Sequence, residues 1–138
     1  MKLTLLLFVV ALIPPPLLRW LVRWRFKTIQ QLSPISLARA LKDEPVLVLD
    51  VRTLDEFGSG HLASAIHVTN GVCAQQMIGE FLTRNPDGRV VAYCTVGFRS
   101  AQFVEEMVSA GCAHVENLEG GIWAWMASGQ PIVTAAQS

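Results

Sequence analysis

The chain has 138 residues, enough for one globular domain with an appendage and too few for two full domains. Apolar residues make up 51% of it and its mean hydropathy is +0.39, which excludes a disordered, collagenous or repeat protein. Eleven basic residues balance eleven acidic ones, so the total charge gives no reason to expect nucleic acid as a partner.

Charge and apolar residues are distributed unevenly along the chain. Residues 1–27 contain five basic residues and no acidic one, whereas residues 28–138 contain six basic and eleven acidic residues. Of the first 27 residues, 18 are apolar, and the remainder has the composition of an ordinary globular protein. The sequence therefore predicts a hydrophobic segment over residues 1–27 and a separate domain over residues 28–138.

The hydrophobic segment consists of an apolar run at residues 3–13, three prolines, and a stretch rich in Trp and Arg at residues 17–26. Eleven helical residues cover only about 16 Å, roughly half of a hydrocarbon core, so a membrane span has to include the prolines. We predict an N-terminal hydrophobic helix that anchors the chain in a membrane. A secretory signal sequence, which lacks its usual cleavage site here, and a helix lying flat on the membrane are the alternatives.

The basic residues around the apolar run predict its orientation. Lys2 precedes the run, and four basic residues follow it: Arg19, Arg23, Arg25 and Lys27. The positive-inside rule then places the C-terminal domain in the cytoplasm, whereas a signal sequence would export it. Trp20 and Trp24 share one face of a helix and suit the headgroup region of the membrane.

Helices and strands alternate from about Thr28 onward. Ser33 and Pro34 form a cap and a first-turn proline, which predict a helix ending near Lys42. Apolar runs predict strands at residues 46–50, 65–68, 90–93 and 115–118. Further helices are predicted at residues 72–82 and 101–110 and in the Trp-rich stretch after residue 121. This alternation is typical of an α/β domain with a parallel sheet.

Two of the predicted strands are followed by residues with ionisable or nucleophilic side chains. Asp50 and Arg52 follow the first strand, and Cys94 follows the third. Ligands of such sheets bind beyond the carboxyl ends of the strands, which makes this edge the candidate site. Six residues then lead from the cysteine into a helix: Thr95, Val96, Gly97, Phe98, Arg99 and Ser100.

A cysteine at this position is expected to be a nucleophile. Backbone N–H groups and the positive end of the helix dipole lower a thiol pKa from about 8.5 toward 3.5–7.5, and Ser100 is placed to cap the helix or to bond the sulfur. The alternative is a buried apolar cysteine without chemistry. Cys73 and Cys112 are interpreted as structural. None of the three has metal-ligand spacing, so we expect no metal, and a cytoplasmic domain has little reason to form disulfides.

Three ordered motifs resemble those of the rhodanese-homology family of sulfurtransferases. The first contains Asp50-Val51-Arg52, Glu56-Phe57, Gly60-His61-Leu62 and Ala65-Ile66-His67-Val68. The second runs from Tyr93 through Cys94 to Ala101. The third contains Leu118-Glu119-Gly120-Gly121, Trp125, Gly129 and Pro131. The resemblance covers nearly all of residues 29–133 and implies a three-layer α/β/α domain with a central parallel sheet of about five strands.

The resemblance also implies a reaction. Cys94 takes sulfane sulfur from thiosulfate or a persulfide, holds it as a covalent persulfide, and passes it to cyanide or a thiol, with no other cofactor. The residues from Thr95 to Ser100 bind this sulfur through their amides. Asp50 and Arg52 are expected to support the loop as a pair that links the strand end to Glu56. Arg99 either adds positive charge at the rim of the pocket that this loop forms or points into solvent.

Several alternatives remain at this stage. The loop lacks the extra cations of the best-known thiosulfate enzymes of the family, because Thr95 and Val96 are neutral and Glu56 is acidic, so the donor stays open. The related cell-cycle phosphatases have five residues between Cys and Arg, whereas four separate Cys94 from Arg99. A non-catalytic binding or regulatory module tethered to a membrane complex is the other alternative, although it has no need of Cys94.

Overall fold

The computed structural model describes residues 12–134 and contains a parallel sheet with helices on both faces. The strands are β1 (Gln30–Leu32), β2 (Val46–Asp50), β3 (Ala65–His67), β4 (Arg89–Tyr93) and β5 (Val115–Leu118). The helices are α1 (Pro15–Arg25), α2 (Pro34–Asp43), α3 (Leu54–Ser59), α4 (Gly71–Arg84), α5 (Phe98–Ser109) and α6 (Gly121–Ala127).

The five strands lie in the order β1-β5-β4-β2-β3, and all neighbours are parallel. Asp50 at the end of β2 is in register with Tyr93 of β4, and Ala92 of β4 is in register with Asn117 of β5. The carboxyl ends of β2, β4 and β5 therefore meet at one edge. The α/β fold with a five-stranded parallel sheet, which the family resemblance implied, is confirmed.

Each face of the sheet has its own apolar core. Successive strand residues point to opposite faces, so Leu49 packs with α1, α4 and α5, while its neighbour Val48 packs with α2 and α6. The first core includes Ile78 of α4 and Val104 of α5, and the second includes Trp125 of α6. The domain is thus a three-layer α/β/α structure with the sheet in the middle.

Local signals explain several of the helix boundaries. The Ser33 hydroxyl accepts a hydrogen bond from the Ser36 amide at 3.1 Å, and α2 begins at Pro34 as predicted. Two elements were not predicted. One is β1, which has three residues at the sheet edge and too short a pattern to detect. The other is α3, although Thr53 and Glu56 form the capping box that signals its start.

The structure describes only residues 12–27 of the segment that was predicted to be an anchor. Residues 1–11 lie outside the described residues, and Pro14 has an extended backbone, so the helix begins after it, at Pro15. No helix within residues 12–134 has the length and apolarity that a bilayer crossing requires. The expected hydrophobic helix is therefore not seen there. Instead, α1 packs on the domain through Val22 and Phe26, which are 4% and 1% exposed.

Candidate active site

Cys94 lies directly after β4 with its sulfur at the start of α5. The residue is only 1% exposed. Gly97 adopts a left-handed conformation with φ 96°, which turns the chain so that its N–H donates to Cys94 Sγ over 3.1 Å. A side chain at this position would be strained by the positive φ and would lie 3.2 Å from the Gly120 nitrogen. The glycine thus allows the loop to close around the sulfur.

Ser100 is the second polar neighbour of the sulfur. Its hydroxyl oxygen lies 3.3 Å from Cys94 Sγ and 2.6 Å from Asn117 Oδ1, and the residue is fully buried. The side chain sits in the first turn of α5, where the helix dipole favours negative charge. Of the loop amides predicted to surround the sulfur, that of Gly97 hydrogen-bonds to it within residues 12–134.

The beginning of α6 holds the loop from outside. The amides of Ile122 and Trp123 donate to the carbonyl oxygens of Cys94 and Thr95 at 2.9 and 3.2 Å. Gly121 makes this approach possible, because a Cβ there would collide with both carbonyls and its φ is 63°. The Gly-Gly pair of the third motif therefore fixes the backbone that carries Cys94.

Glu56, Thr95 and Arg99 form a polar cluster at the rim. Arg99 donates to the two Glu56 oxygens over 2.9 Å each and to Thr95 Oγ1 over 2.9 Å, and Thr95 Oγ1 donates to Glu56 Oε2 over 3.2 Å. The hydrogen bond from Arg99 lowers the pKa of Glu56 to about 2, further lowered by bonds from Thr53 and opposed by burial. The charge of Arg99 is thus largely neutralised at the rim.

The Arg99 guanidinium lies at the rim and not in open solvent, but it pairs with Glu56 there. Its pKa is raised, chiefly by the bond to Glu56 and further by the Cys94 sulfur. Glu56 also caps α3, because it accepts from the Thr53 amide at 3.1 Å while its own amide donates to Thr53 Oγ1. One carboxylate therefore ties the start of α3 to the loop that follows Cys94.

Asp50 and Arg52 form a buried pair beneath the loop. Arg52 donates to Asp50 Oδ2 over 2.7 Å and to the Gly60 carbonyl over 2.6 Å. The Tyr93 hydroxyl donates to Asp50 Oδ2 over 2.6 Å; burial, and then this carboxylate, raise the Tyr93 pKa. The predicted link from this pair to Glu56 is not formed within residues 12–134, because Arg52 turns toward Gly60 instead.

Asn117 is a site residue that the sequence prediction missed. Its amide nitrogen donates to the Gly97 carbonyl at 3.1 Å and to Gln31 Oε1 at 2.9 Å, and its oxygen accepts from Ser100. Asn117 therefore orients Gly97 and Ser100, the two residues that contact Cys94 Sγ. No motif marks it, although a buried asparagine beside the apolar Leu118 is a signal that a polar partner is required.

Val96 and Phe98 have different surroundings. Val96 faces a cleft of about 160 Å³ between α1 and α6, which is also lined by Leu18, Arg19 and Trp123. The Phe98 ring instead meets Phe26 of α1 edge-on at 5.3 Å between centroids. Phe98 thus helps to hold α1 on the domain, while Val96 borders the cleft next to the loop that follows Cys94.

The remaining candidates lie away from this centre. Cys73 is exposed on α4 and Cys112 is half-buried, and neither forms a disulfide. His61 is buried, stacks on Phe57 and hydrogen-bonds to the Phe57 carbonyl at 2.8 Å, so it holds the backbone of its own turn. In the part of the chain that the structure describes, no three His, Cys, Asp or Glu side chains gather as a metal site.

Comparisons with known proteins agree with this architecture. The family model of the rhodanese-like domain matches residues 33–128. A tRNA uridine(34) hydroxylase from Staphylococcus aureus is 35% identical over 100 residues, which are 71% of this chain and 31% of that protein. The chain thus spans less than a third of that relative's length.

Two solved structures are also similar. A thiosulfate sulfurtransferase from Pseudomonas aeruginosa has a TM-score of 0.71 at 22% identity, covering 83% of this chain and 22% of its own, which supports the fold alone. A rhodanese-related protein from Thermoplasma volcanium has a TM-score of 0.57 at 28% identity, covering 75% of this chain and 97% of its own.

Proposed function

The chain belongs to the rhodanese-like domain family, and on that premise we propose that it is a sulfurtransferase that carries sulfane sulfur on Cys94. The observation that supports this most is the environment of the sulfur. Cys94 Sγ accepts from the Gly97 amide at 3.1 Å, has the Ser100 hydroxyl at 3.3 Å, and lies at the start of α5. The Gly97 amide and the N-terminal end of α5 are placed to stabilise negative charge that the sulfur carries when it acts as a nucleophile.

The proposed reaction has two displacement steps. The Cys94 thiolate attacks the outer sulfur of the donor, a new S–S bond forms, and the donor's bond to that sulfur breaks with its electron pair on the leaving group, which is sulfite when thiosulfate is the donor. The acceptor then attacks the outer sulfur of the persulfide and regenerates the thiolate. Cyanide becomes thiocyanate and a thiolate becomes a persulfide. No cofactor or metal is required for either step.

The rim favours a donor of low charge. Arg99 lies within the loop, but Glu56 binds it bidentately, with both contacts at 2.9 Å. A dianion such as thiosulfate therefore gains little attraction from Arg99. We propose that a persulfide of a small thiol or of a protein is the natural donor and that thiosulfate serves as a weaker one.

Other functions have less support. The hydroxylation of tRNA belongs to a relative more than three times as long as the matched segment, and residues 28–138 have an acidic excess that is unsuited to RNA. A phosphatase requires a wider loop than the four residues between Cys94 and Arg99. A non-catalytic binding module would have no use for a sulfur held by Gly97 and Ser100.

Intact-mass measurement tests the proposal. Incubation with thiosulfate is expected to add one sulfur atom per chain, and a reducing thiol is expected to remove it. Cys94→Ala should abolish the uptake, whereas the control variants Cys73→Ala and Cys112→Ala should retain it. Absence of uptake from both thiosulfate and glutathione persulfide would support the non-catalytic module, and sulfur added to Cys73 or Cys112 would overturn the assignment of Cys94.

A further inference from the structure

Helix α1 has two apolar faces, and the domain uses only one of them. Val22 lies on the inner face and is buried in the core. Leu17, Trp20 and Trp24 are spaced three and four residues apart, which puts them together on the opposite side of the helix. They are 48%, 58% and 57% exposed, and the two indole rings stack with centroids 6.4 Å apart. We call Leu17, Trp20 and Trp24 the outer face.

The charges around the outer face are basic, and those of the domain are acidic. Lys27 Nζ lies 6.0 Å above the Trp24 ring, and the side chains of Arg23 and Arg25 are 63% and 52% exposed. Arg23 and Arg25 also pair with Glu119 and Glu105 of the domain, which neutralises part of their charge. The molecule is therefore polarised, with its helix side attracted to negative surfaces and the rest repelled by them.

From this arrangement we propose that the outer face of α1 docks in the plane of an anionic lipid bilayer. Tryptophan is favoured at the headgroup level because its ring is apolar and its N–H is polar. Lysine and arginine next to it extend toward lipid phosphates while their stems stay on apolar surface. The chain also enters α1 from residues 3–11, which carry no charge, and through Leu12, which is 74% exposed.

Docking would bring the candidate active site close to the membrane. The cleft lined by Leu18, Arg19, Val96 and Trp123 lies on the domain side of α1. A helix with its side chains is about 10–12 Å thick, so the catalytic loop lies roughly one helix diameter from the headgroups. Substrates held at the membrane surface would then reach Cys94 without the domain entering the bilayer. The docking itself does not depend on the proposed sulfur transfer, and the two are tested separately.

Vesicle binding by the full chain tests the docking. Two vesicle types are compared, phosphatidylcholine alone and phosphatidylcholine with phosphatidylglycerol. We expect stronger sedimentation with the anionic vesicles and a decrease with added salt. Trp20→Ser with Trp24→Ser should weaken this binding roughly tenfold or more, because the membrane contact of two large side chains is lost. Val72→Ser is the matched control, since Val72 is 77% exposed on α4, and it should bind like the parent.

Vesicles with brominated acyl chains identify the residues in contact. Quenching of the parent fluorescence is expected, and Trp20→Phe with Trp24→Phe should remove the quenched component while Trp123 and Trp125 remain. Sedimentation without quenching would mean that residues 1–11 hold the chain and would overturn the proposal. Equal binding by the Trp20→Ser, Trp24→Ser variant would overturn it as well. The proposal would also be overturned if the parent protein did not bind vesicles but formed dimers that the Trp20→Ser, Trp24→Ser variant does not form.

Discussion

Two arginine–carboxylate pairs lie at the same edge of the sheet, and they have opposite roles. The side chains of Asp50 and Arg52 are 0% and 7% exposed, and the pair is surrounded by the first motif and Tyr93. The side chains of Glu56 and Arg99 are 26% and 24% exposed and border the loop that follows Cys94. The buried pair thus supports the end of β2 from inside the domain, while the rim pair determines the charge at the surface of the candidate site. Burial, more than residue type, decides which role a pair has.

Breaking the buried pair should lower the free energy of unfolding more than any other change considered. Asp50→Ala leaves the Arg52 charge and the Tyr93 hydroxyl without their acceptor inside the domain, and we expect a loss of about 3–5 kcal/mol in the free energy of unfolding. Urea denaturation measures this. The double variant Asp50→Leu, Arg52→Met should recover a large part of the loss, because no unpaired charge remains. A double variant as unstable as Asp50→Ala would contradict the importance of the unpaired charge.

Removing the Tyr93 hydroxyl beside this pair should destabilise the domain less. Tyr93→Phe deletes the 2.6 Å bond to Asp50 and the 3.2 Å bond accepted from the Leu62 amide, and it keeps the ring in the core. We expect about 1.5–3 kcal/mol of destabilisation, the usual value for a bond to a charged group. Sulfur uptake by Cys94 should be unchanged once the variant is folded. A large decrease in the uptake rate with unchanged stability would show that Tyr93 takes part in sulfur transfer and does not act only in stability.

Breaking the rim pair should change activity more than stability. Glu56→Gln keeps the cap of α3 but frees the charge of Arg99, so we expect the KM for thiosulfate to fall several-fold. Stability at neutral pH should change by only about 0–1 kcal/mol. Glu116→Gln is the matched control, because Glu116 pairs with Arg89 at the other end of β4. Equal KM changes in both variants would show that Arg99 is not masked by Glu56.

The smallest expected effect is the contribution of Glu56 to the pH dependence of the free energy of unfolding. The folded pKa of Glu56 is about 2 against an ordinary value of 4.5. The unfolded chain therefore binds this proton first, so the stabilisation is complete above about pH 5 and is lost as the pH falls from 4.5 toward 2. Denaturation of the parent and of Glu56→Gln at pH 6 and pH 3 measures it. The parent should lose more stability than the variant, and equal losses would show that this carboxylate does not contribute.

Much of the fold was predictable because it depends on short-range patterns. The apolar run before Asp50 and the cap at Ser33 each define an element within a few residues. Cys94 was identified as the candidate nucleophile because the turn glycine and the helix start follow it directly. The edge strand β1 was not predicted, since its three residues carry too little periodicity. The helix α3 was missed although Thr53 and Glu56 gave a usable signal.

The site could be predicted only in part from the sequence. The loop around Cys94 is local, whereas Asn117 reaches Ser100 and Gly97 only because β5 lies next to β4. The partner of Glu56 was likewise misassigned, since Arg99 lies 43 residues away in the sequence. Sequence spacing does not determine such neighbours, which follow from strand order and crossover.

The sequence by itself determined the alternation of helices and strands, the position of the candidate nucleophile after a strand, and the division of charge into a basic segment and an acidic remainder. These properties depend on composition and on periods of two or 3.6 residues. Only the tertiary structure decided that Glu56 neutralises Arg99, that Asn117 orients Ser100, and that α1 buries Val22 while Trp20 and Trp24 face outward. Each of these depends on which surfaces meet when the layers pack, because burial and pairing are properties of neighbours in space.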